Sequence, residues 1–437
     1  MSAAPQPAPD PEFASRPERS GTPRAPSRGV EPALIVILAG VAAALHVGKL
    51  PPAIATLQQS LGITLVQAGF LLSLVQLAGM SLGVAFGVLA DGLGLKRSMV
   101  LGLTLLALVS AAGGAATEVP VLMALRAAEG FGFLLVVLPA PALVRRLVAP
   151  GRLNVMLGLW GAYMPLATAL ALLLGPLLIA ALGWRAWWWT LAAVSLAMAL
   201  WLARAVRMEA APPPSSPSSP SSPAAPAAPA ASSMALGWTT RLARTLAAPG
   251  PWLVALTFAL YSGQWLAVVG FLPVIYTAAG LSAAATGVLT ALAAGVNMVG
   301  NIAAGRLLHR GWLAPRLLRT GFVVMGLAAT LTFAGVAGEG APPWLRYAAV
   351  LVFSGCGGLI PGTLFALAVR LAPGEAMLGS TVGWVQQWSA FGQFAGPPLV
   401  AWLASGVGGW QFTWVATGAC CLLGLALSVP IARRLRG

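Results

Sequence analysis

The sequence predicts an all-α integral membrane protein with twelve transmembrane helices in two six-helix bundles. Three observations predict it. Of 437 residues, 58% are hydrophobic and 8% charged, where soluble chains carry about 25% charged residues. Apolar runs long enough to span a bilayer recur along the chain; about 30 Å at 1.5 Å per residue needs about 20 residues. The two halves also share sequence landmarks. A soluble chain could not hide so much apolar surface behind so few charges, which excludes an ordinary cytosolic enzyme and a disordered protein alike.

Residues 1–31 are rich in Pro, Ala, Ser and Arg without an apolar core, and read as a disordered cytoplasmic tail. The first apolar run arrives too late, and is too long, for a signal peptide. Six spans are expected near 33–53, 66–90, 98–116, 120–143, 154–181 and 187–206. Six more follow near 251–276, 284–308, 316–338, 344–371, 378–404 and 410–432. Bundle boundaries are therefore set at 32–207 and 250–437, with a linker at 208–249. Its core, APPPSSPSSPSSPAAPAAPAASS, blocks helix and sheet and stays extended. Beyond it, Trp238, Leu242 and Leu246 recur at i, i+4, i+8 beside Arg241 and Arg244. That pattern suits a short helix on the membrane surface, or the frayed start of span seven.

The net charge of +15 would suggest nucleic acid in a soluble chain. Here the basic residues lie in short loops, and the positive-inside rule explains them without a nucleic-acid partner. With the N-terminus inside, Lys96, Arg97, Arg145, Arg146, Arg152, Arg204, Arg207, Arg241, Arg244, Arg306, Arg310, Arg316, Arg319 and Arg370 are cytoplasmic, as are Arg433, Arg434 and Arg436. Only Arg185 and Arg346 fall in outside loops. Both termini are then cytoplasmic, and the span count is even. The three cysteines sit in apolar runs without metal-ligand spacing, so no metal and no cofactor are expected.

GFGFLLVVLPA at 130–140 is echoed by GCGGLIPGTLF at 355–365, and Gly175-Pro176 and Gly183-Trp184 by Gly396-Pro397 and Gly409-Trp410. Such a duplication supplies two bundles able to rock around a midplane site.

The loop after span two reads GVLADGLGLKR, Gly87 to Arg97. Gly87 and Gly94 permit a tight turn, and Asp91 can cap the next helix or pair with Lys96 or Arg97. This loop resembles the signature loop of the major facilitator superfamily, with Gly92 where that family has a basic residue. The second half carries a worn copy, GRLLHRG, with His309 in the place of Asp91 and Arg310 beside it. The resemblance implies that family's fold over residues 33–436. It also implies a gating role for Asp91 and its basic partners in the outward-open state; a basic cytoplasmic turn without gating is the plainer alternative.

Span four reads LRAAEGFGFLL. Arg126 and Glu129, three apart, share a face and can neutralise each other. The stretch resembles the superfamily's second signature, which implies a link between Arg126 and proton transfer and makes Glu129 the candidate proton carrier. Span one carries His46 and Lys49 in LHVGKLPP. Lys49 lies about 24 Å in from the cytoplasm, and Arg126 and Glu129 about 9 and 14 Å below the outer surface. An intramembrane lysine is a functional candidate, unless it snorkels to the interface. Lys49 and Arg126 against Glu129 leave one net positive charge, which favours an anionic or polar substrate. The basic residue and Pro-Pro late in span one resemble the cyanate/nitroimidazole transporter branch.

Neutral polar groups stand in the second half: Tyr261 and Gln264, Asn297 and Asn301, and Gln386, Ser389 and Gln393. They can orient a ligand or only join helices. With Tyr163 in span five, Gln264, Asn297 and Gln386 are grouped with His46, Lys49 and Arg126 as candidate substrate contacts. Gly175-Pro176 resembles the antiporter motif of the family's exporters. The sequence thus reads as a monomeric transporter of the bacterial inner membrane, working by alternating access and driven by protons. Its partners are the bilayer and a small solute. A multidrug or metabolite exporter is the alternative within the class, and a non-transporting receptor the alternative outside it; no constellation for enzyme chemistry is present.

Overall fold

The structure, a computed structural model, describes residues 30–83, 93–206, 237–336 and 339–435. Ten helical runs are long and apolar enough to cross a membrane. One of them, Gly151–Ala205, holds two crossings: the chain turns at Gly183, whose φ of 82° is open to glycine but strained for other residues. Span eleven, Leu378–Val407, is 30 residues long and less apolar because it carries Gln386, Gln387, Ser389 and Gln393. Among the described residues the fold therefore has twelve spans.

In order these are Pro32–Leu61, Leu65–Gly83, Leu95–Ala115, Val119–Leu147, 151–182, 184–205, Pro249–Ala278, Ala283–His309, Ala314–Phe333, Pro343–Arg370, Leu378–Val407 and Thr413–Arg434. Most begin and end within three residues of the sequence reading. Span one runs eight residues further, because Pro51 and Pro52 produce a 3-10 turn at Pro51–Ala53 rather than an end. Span two starts on a capping box: Gln67 N–H donates to Thr64 Oγ1 at 3.2 Å, and Thr64 N–H to Gln67 Oε1 at 2.8 Å. Between spans nine and ten, Gly335–Val336 pairs antiparallel with Glu339–Gly340.

The described residues from Pro32 onward close into one compact unit. In the first half, spans one and three pack on the span five–six run and span three packs on span four; in the second, span seven packs on eleven and span nine on ten and twelve. The halves meet where span two lies along span eleven and span five along span eight. Gly69 sits against Pro397 and Pro398, and Gly287 against the Leu172 and Leu173 carbonyls. These contacts lie toward the side opposite the chain ends, here called the far side.

The helix expected after the linker is present as Trp238–Ala247, distinct from span seven, with Ala248 in extended backbone between them. It is fixed to the second half: Thr245 Oγ1 and Ser380 Oγ share a hydrogen bond of 2.6 Å, and Trp252 Nε1 donates to the Leu246 carbonyl. The linker core, the tail before residue 30, and Gly87 and Asp91 of the signature loop lie outside the described residues.

Candidate functional site

The first half buries an ion cluster, and the sequence LHVGKLPP shows how span one prepares it. Proline has no N–H, so Pro51 cannot satisfy the carbonyl of Val47. An unpaired buried carbonyl is costly, and other side chains supply the donors. Arg126 NH1 donates to the His46 carbonyl and NH2 to that of Val47 at 3.4 Å. Trp187 Nε1 donates to the Lys49 carbonyl at 3.0 Å. Arg126 also reaches span two, where Nε donates to the Leu71 carbonyl at 3.0 Å, next to the 3-10 turn Leu74–Gln76.

Glu129 stands between the two cations. Its Oε2 accepts from Arg126 NH1 at 2.7 Å, and its Oε1 accepts from Lys49 Nζ. Lys49 Nζ donates as well to Ser110 Oγ at 2.9 Å, faces His46 Nδ1 at 3.5 Å, and lies 4.7 Å from the ring centre of Trp188. The other ring nitrogen of His46, Nε2, is 2.7 Å from Ser195 Oγ. All four residues are 0–2% exposed. The structure therefore brings together His46, Lys49, Arg126 and Glu129, contributed by spans one and four and closed over by spans three and six. Lys49 turns inward to Glu129 instead of reaching for the interface.

The other candidates are dispersed. Asn297 Nδ2 bridges Tyr261 Oη and the Ser354 carbonyl, both at 2.8 Å. Gln264 faces span twelve, accepting from Cys421 Sγ at 3.3 Å. Tyr163 is half-buried and stacks on Trp160, with ring centres 4.3 Å apart. Gln386 is half-buried on span eleven. On the terminal side, Gly94 leads into span three with a φ of 84°. Lys96 Nζ donates to the Ala203 carbonyl at 2.8 Å, closing the end of span six. Arg97, His309 and Arg310 are exposed.

Between the halves lies a narrow cleft lined by Val47, Pro51, Met164, Thr168, Trp265 and Gln393, among others. Its walls are apolar apart from the Thr168 hydroxyl and the Gln393 amide. The cleft residues Val47 and Gly48, Met164 and Trp265 are chain neighbours of His46, Lys49, Tyr163 and Gln264. Four of the expected substrate contacts are thus one position from a residue on the cleft, and Arg126, Asn297 and Gln386 have no chain neighbour there. A helix turns 100° per residue, so adjacent positions serve different faces.

Gln76 is a site residue the sequence reading did not single out. Its Nε2 donates to Gln393 Oε1 at 2.9 Å, which ties span two to span eleven across the cleft. The available signal was an amide isolated in an apolar run, LLSLVQLAGM, in a setting where buried polar groups need partners. Trp265 was also passed over. Its indole N–H donates to Ser354 Oγ at 3.0 Å, which holds the ring against the cleft.

The arrangement has the parts of a transporter: two halves, a cleft between them, and a buried ion cluster one helix face away. Among solved structures, a bacterial homologue of the human lysosomal transporter Spinster, inward-facing and unoccupied, has a similar fold. Its TM-score is 0.74 at 14% identity, covering 92% of this chain and 96% of that one. The occupied form of the same homologue gives 0.73 at 14% identity, over 93% and 98%. A relative by sequence, the tetracenomycin C resistance and export protein of Streptomyces glaucescens, is 30% identical over 179 residues, 39% of this chain. The match spans about a third of that relative's length, 32%. The family model described as Major Facilitator Superfamily matches residues 34–397, most of the chain. The chain belongs to the major facilitator superfamily.

Proposed function

We propose that this transporter exports small, uncharged, largely apolar solutes, driven by the proton gradient through the Lys49–Glu129–Arg126 cluster. The observation that carries this reading is the separation of the charges from the cleft. Lys49 and Arg126 are both engaged by Glu129, and Arg126 is further held by three carbonyls. Neither cation lines the cleft. The lining offers an indole face, aliphatic walls, one hydroxyl and one amide, a set that suits a flat apolar compound with one or two hydrogen-bonding groups. The name of the Streptomyces relative supports export. The one net positive charge of the cluster supports the other reading, uptake of an anion.

The terminal side carries Lys96, Arg97, Arg145, Arg146, Arg306, Arg310, Arg316 and Arg319, and the far side Arg185 and Arg346. This bias supports cytoplasmic termini in a bacterial inner membrane. On this reading residues 1–31 are a tail, 32–207 and 250–437 are the two bundles, 208–249 links them, and the working unit is a monomer.

The test uses the full chain in liposomes with an imposed pH gradient and three probes: 1,8-dihydroxyanthraquinone, benzoate and tetraphenylphosphonium. Accumulation of the anthraquinone that collapses with a protonophore is the expected result. Accumulation of benzoate in its place overturns the apolar reading in favour of anion transport.

A further inference from the structure

We infer that Lys49 is the group that gives up and regains the coupled proton, with Glu129 as its permanent counter-ion and His46 as the neighbouring acceptor. This rests on the proton-coupled reading above and assigns the proton to one atom, Lys49 Nζ.

Lys49, Arg126 and Glu129 are each at most 2% exposed and sum to one net positive charge. Protonating Glu129 would leave two unpaired cations in the bundle, the arrangement that burial penalises most. Removing a proton from Lys49 leaves Arg126 and Glu129 as a neutral pair. That pair is complete without Lys49: Arg126 NH1 keeps Glu129 Oε2 at 2.7 Å, and its remaining donors keep the carbonyls of Leu71, His46 and Val47. Arginine stays protonated under protein conditions, so Lys49 is the member of the cluster whose charge can change while every other bond stays in place.

The surroundings of Lys49 match that role. From its own helix it faces His46; from span four, Glu129 and Arg126; from span three, the Ser110 hydroxyl; and from span six, the Trp188 ring. Span five presents Ala171 and the backbone of Thr168 against Gly48. His46 Nδ1 lies 3.5 Å from the ammonium and 3.7 Å from Glu129 Oε1. With the imidazole hydrogen on Nε2, the tautomer this role requires, that nitrogen donates to Ser195 Oγ at 2.7 Å. Nδ1 is then an open acceptor beside the Lys49 N–H. One proton leaves Nζ, which becomes a neutral amine, and passes by way of His46 to water admitted when the cleft, one helix face away at Val47 and Gly48, opens. One proton returns to Nζ from the opposite side. On that side Leu50, Gly113, Leu122, Arg126 and Glu129 border a small space beside the cluster.

The sequence offers an uncommonly direct readout, because the chain has two lysines, Lys49 and Lys96. Full-length protein labelled with 15N at lysine Nζ and placed in lipid nanodiscs gives two side-chain signals, and Lys96→Arg leaves that of Lys49 alone. The Lys49 signal is expected to move from the ammonium to the amine position across the pH range in which proton-driven transport is active. The 13C-labelled carboxyl of Glu129 is expected to remain a carboxylate there. A Lys49 signal that stays ammonium while the Glu129 carboxyl becomes protonated, or while neither moves, overturns the assignment.

Transport supplies a second measurement. Lys49→Arg keeps the charge but cannot release it, so gradient-driven accumulation of 1,8-dihydroxyanthraquinone is expected to fall about tenfold or more relative to its exchange at equal pH. Equal losses in both assays overturn the proposal. Failure of wild-type vesicles to move protons with any probe overturns the coupled reading itself. The spectra need no transport, so that failure is distinguishable from a wrong choice of residue.

Discussion

Spans one, three, four and six of the first half enclose three charges and an imidazole; in the second half spans seven, eight and ten enclose a tyrosine, an asparagine, a serine and an indole. Among the described residues the second half buries no charged side chain. Both networks satisfy their polar atoms, with Arg126 and Glu129 doing so in one case and Asn297, between Tyr261 and Ser354, in the other. They differ in what they can change. A cluster of ions can alter its charge by one proton, whereas a neutral amide–hydroxyl network keeps its charge through any cycle. On the proposed reading, energy coupling belongs to the first half and the shaping of the cleft, through Trp265, to the second.

The largest test of this contrast is Glu129→Gln. It removes the only carboxylate from two buried cations, and breaking a buried pair in this way costs about 3–5 kcal/mol. Thermal unfolding in detergent should show a large drop in Tm. The double variant Glu129→Gln/Lys49→Gln should recover part of it, because one orphaned charge is gone. A single variant as stable as wild type would mean that the cations are hydrated and the cluster is not closed.

The second half should respond instead to volume. At Gly300 an added Cβ would lie 1.9 Å from the Gly355 carbonyl oxygen, and at Gly358 2.1 Å from that of Asn297. Spans eight and ten thus approach backbone to backbone, as small residues allow in membranes. Gly300→Ala is expected to cost about 1–3 kcal/mol by overpacking. Gly305→Ala, facing open space, should change stability by no more than about 0.5 kcal/mol. Equal effects at the two positions would remove the case for tight packing. Next in size, Asn297→Ala removes one partner each from Tyr261 and Ser354, for about 1–2 kcal/mol. It should also release Trp265, whose N–H shares Ser354 as its anchor, seen as increased quenching of indole fluorescence by acrylamide.

The sequence was most legible where a signal is long. Twenty-residue apolar runs placed ten of the twelve spans to within about five residues at both ends; the expected end of span two lies outside the described residues, and the Pro-Pro of span one misled, because proline bent that helix where an end was read. The ion cluster was half legible. Arg126 and Glu129 declare each other by their spacing, and Lys49 by its depth. That Lys49 turns to Glu129 depends on spans three and six, through Ser110 and Trp188, and no spacing within span one encodes those neighbours. Facing is not legible in one sequence: a helix turns 100° per residue, so Val47 and Trp265 line the cleft in this conformation while their neighbours His46 and Gln264 face other helices. Gln76 pairs with a residue 317 positions away, a distance over which one sequence gives no register.

The smallest effect concerns that pair. Gln76 and Gln393 bridge the halves in the conformation where span two lies along span eleven, so the bond stabilises this conformation against one in which the two helices separate. Hydrogen bonds between membrane helices contribute about 0.6 kcal/mol on average, which corresponds to about a threefold change in population. Gln393→Leu keeps the volume and loses the bond. A spin-label distance between the far-side ends of spans two and eleven should then show about a threefold smaller share of the short distance. Gln76→Leu/Gln393→Leu should add little to the single variant, since the bond is lost once. If each single variant instead shifts the population and the double variant sums them, the two amides act on separate partners and the bridge between the halves is not what holds this conformation.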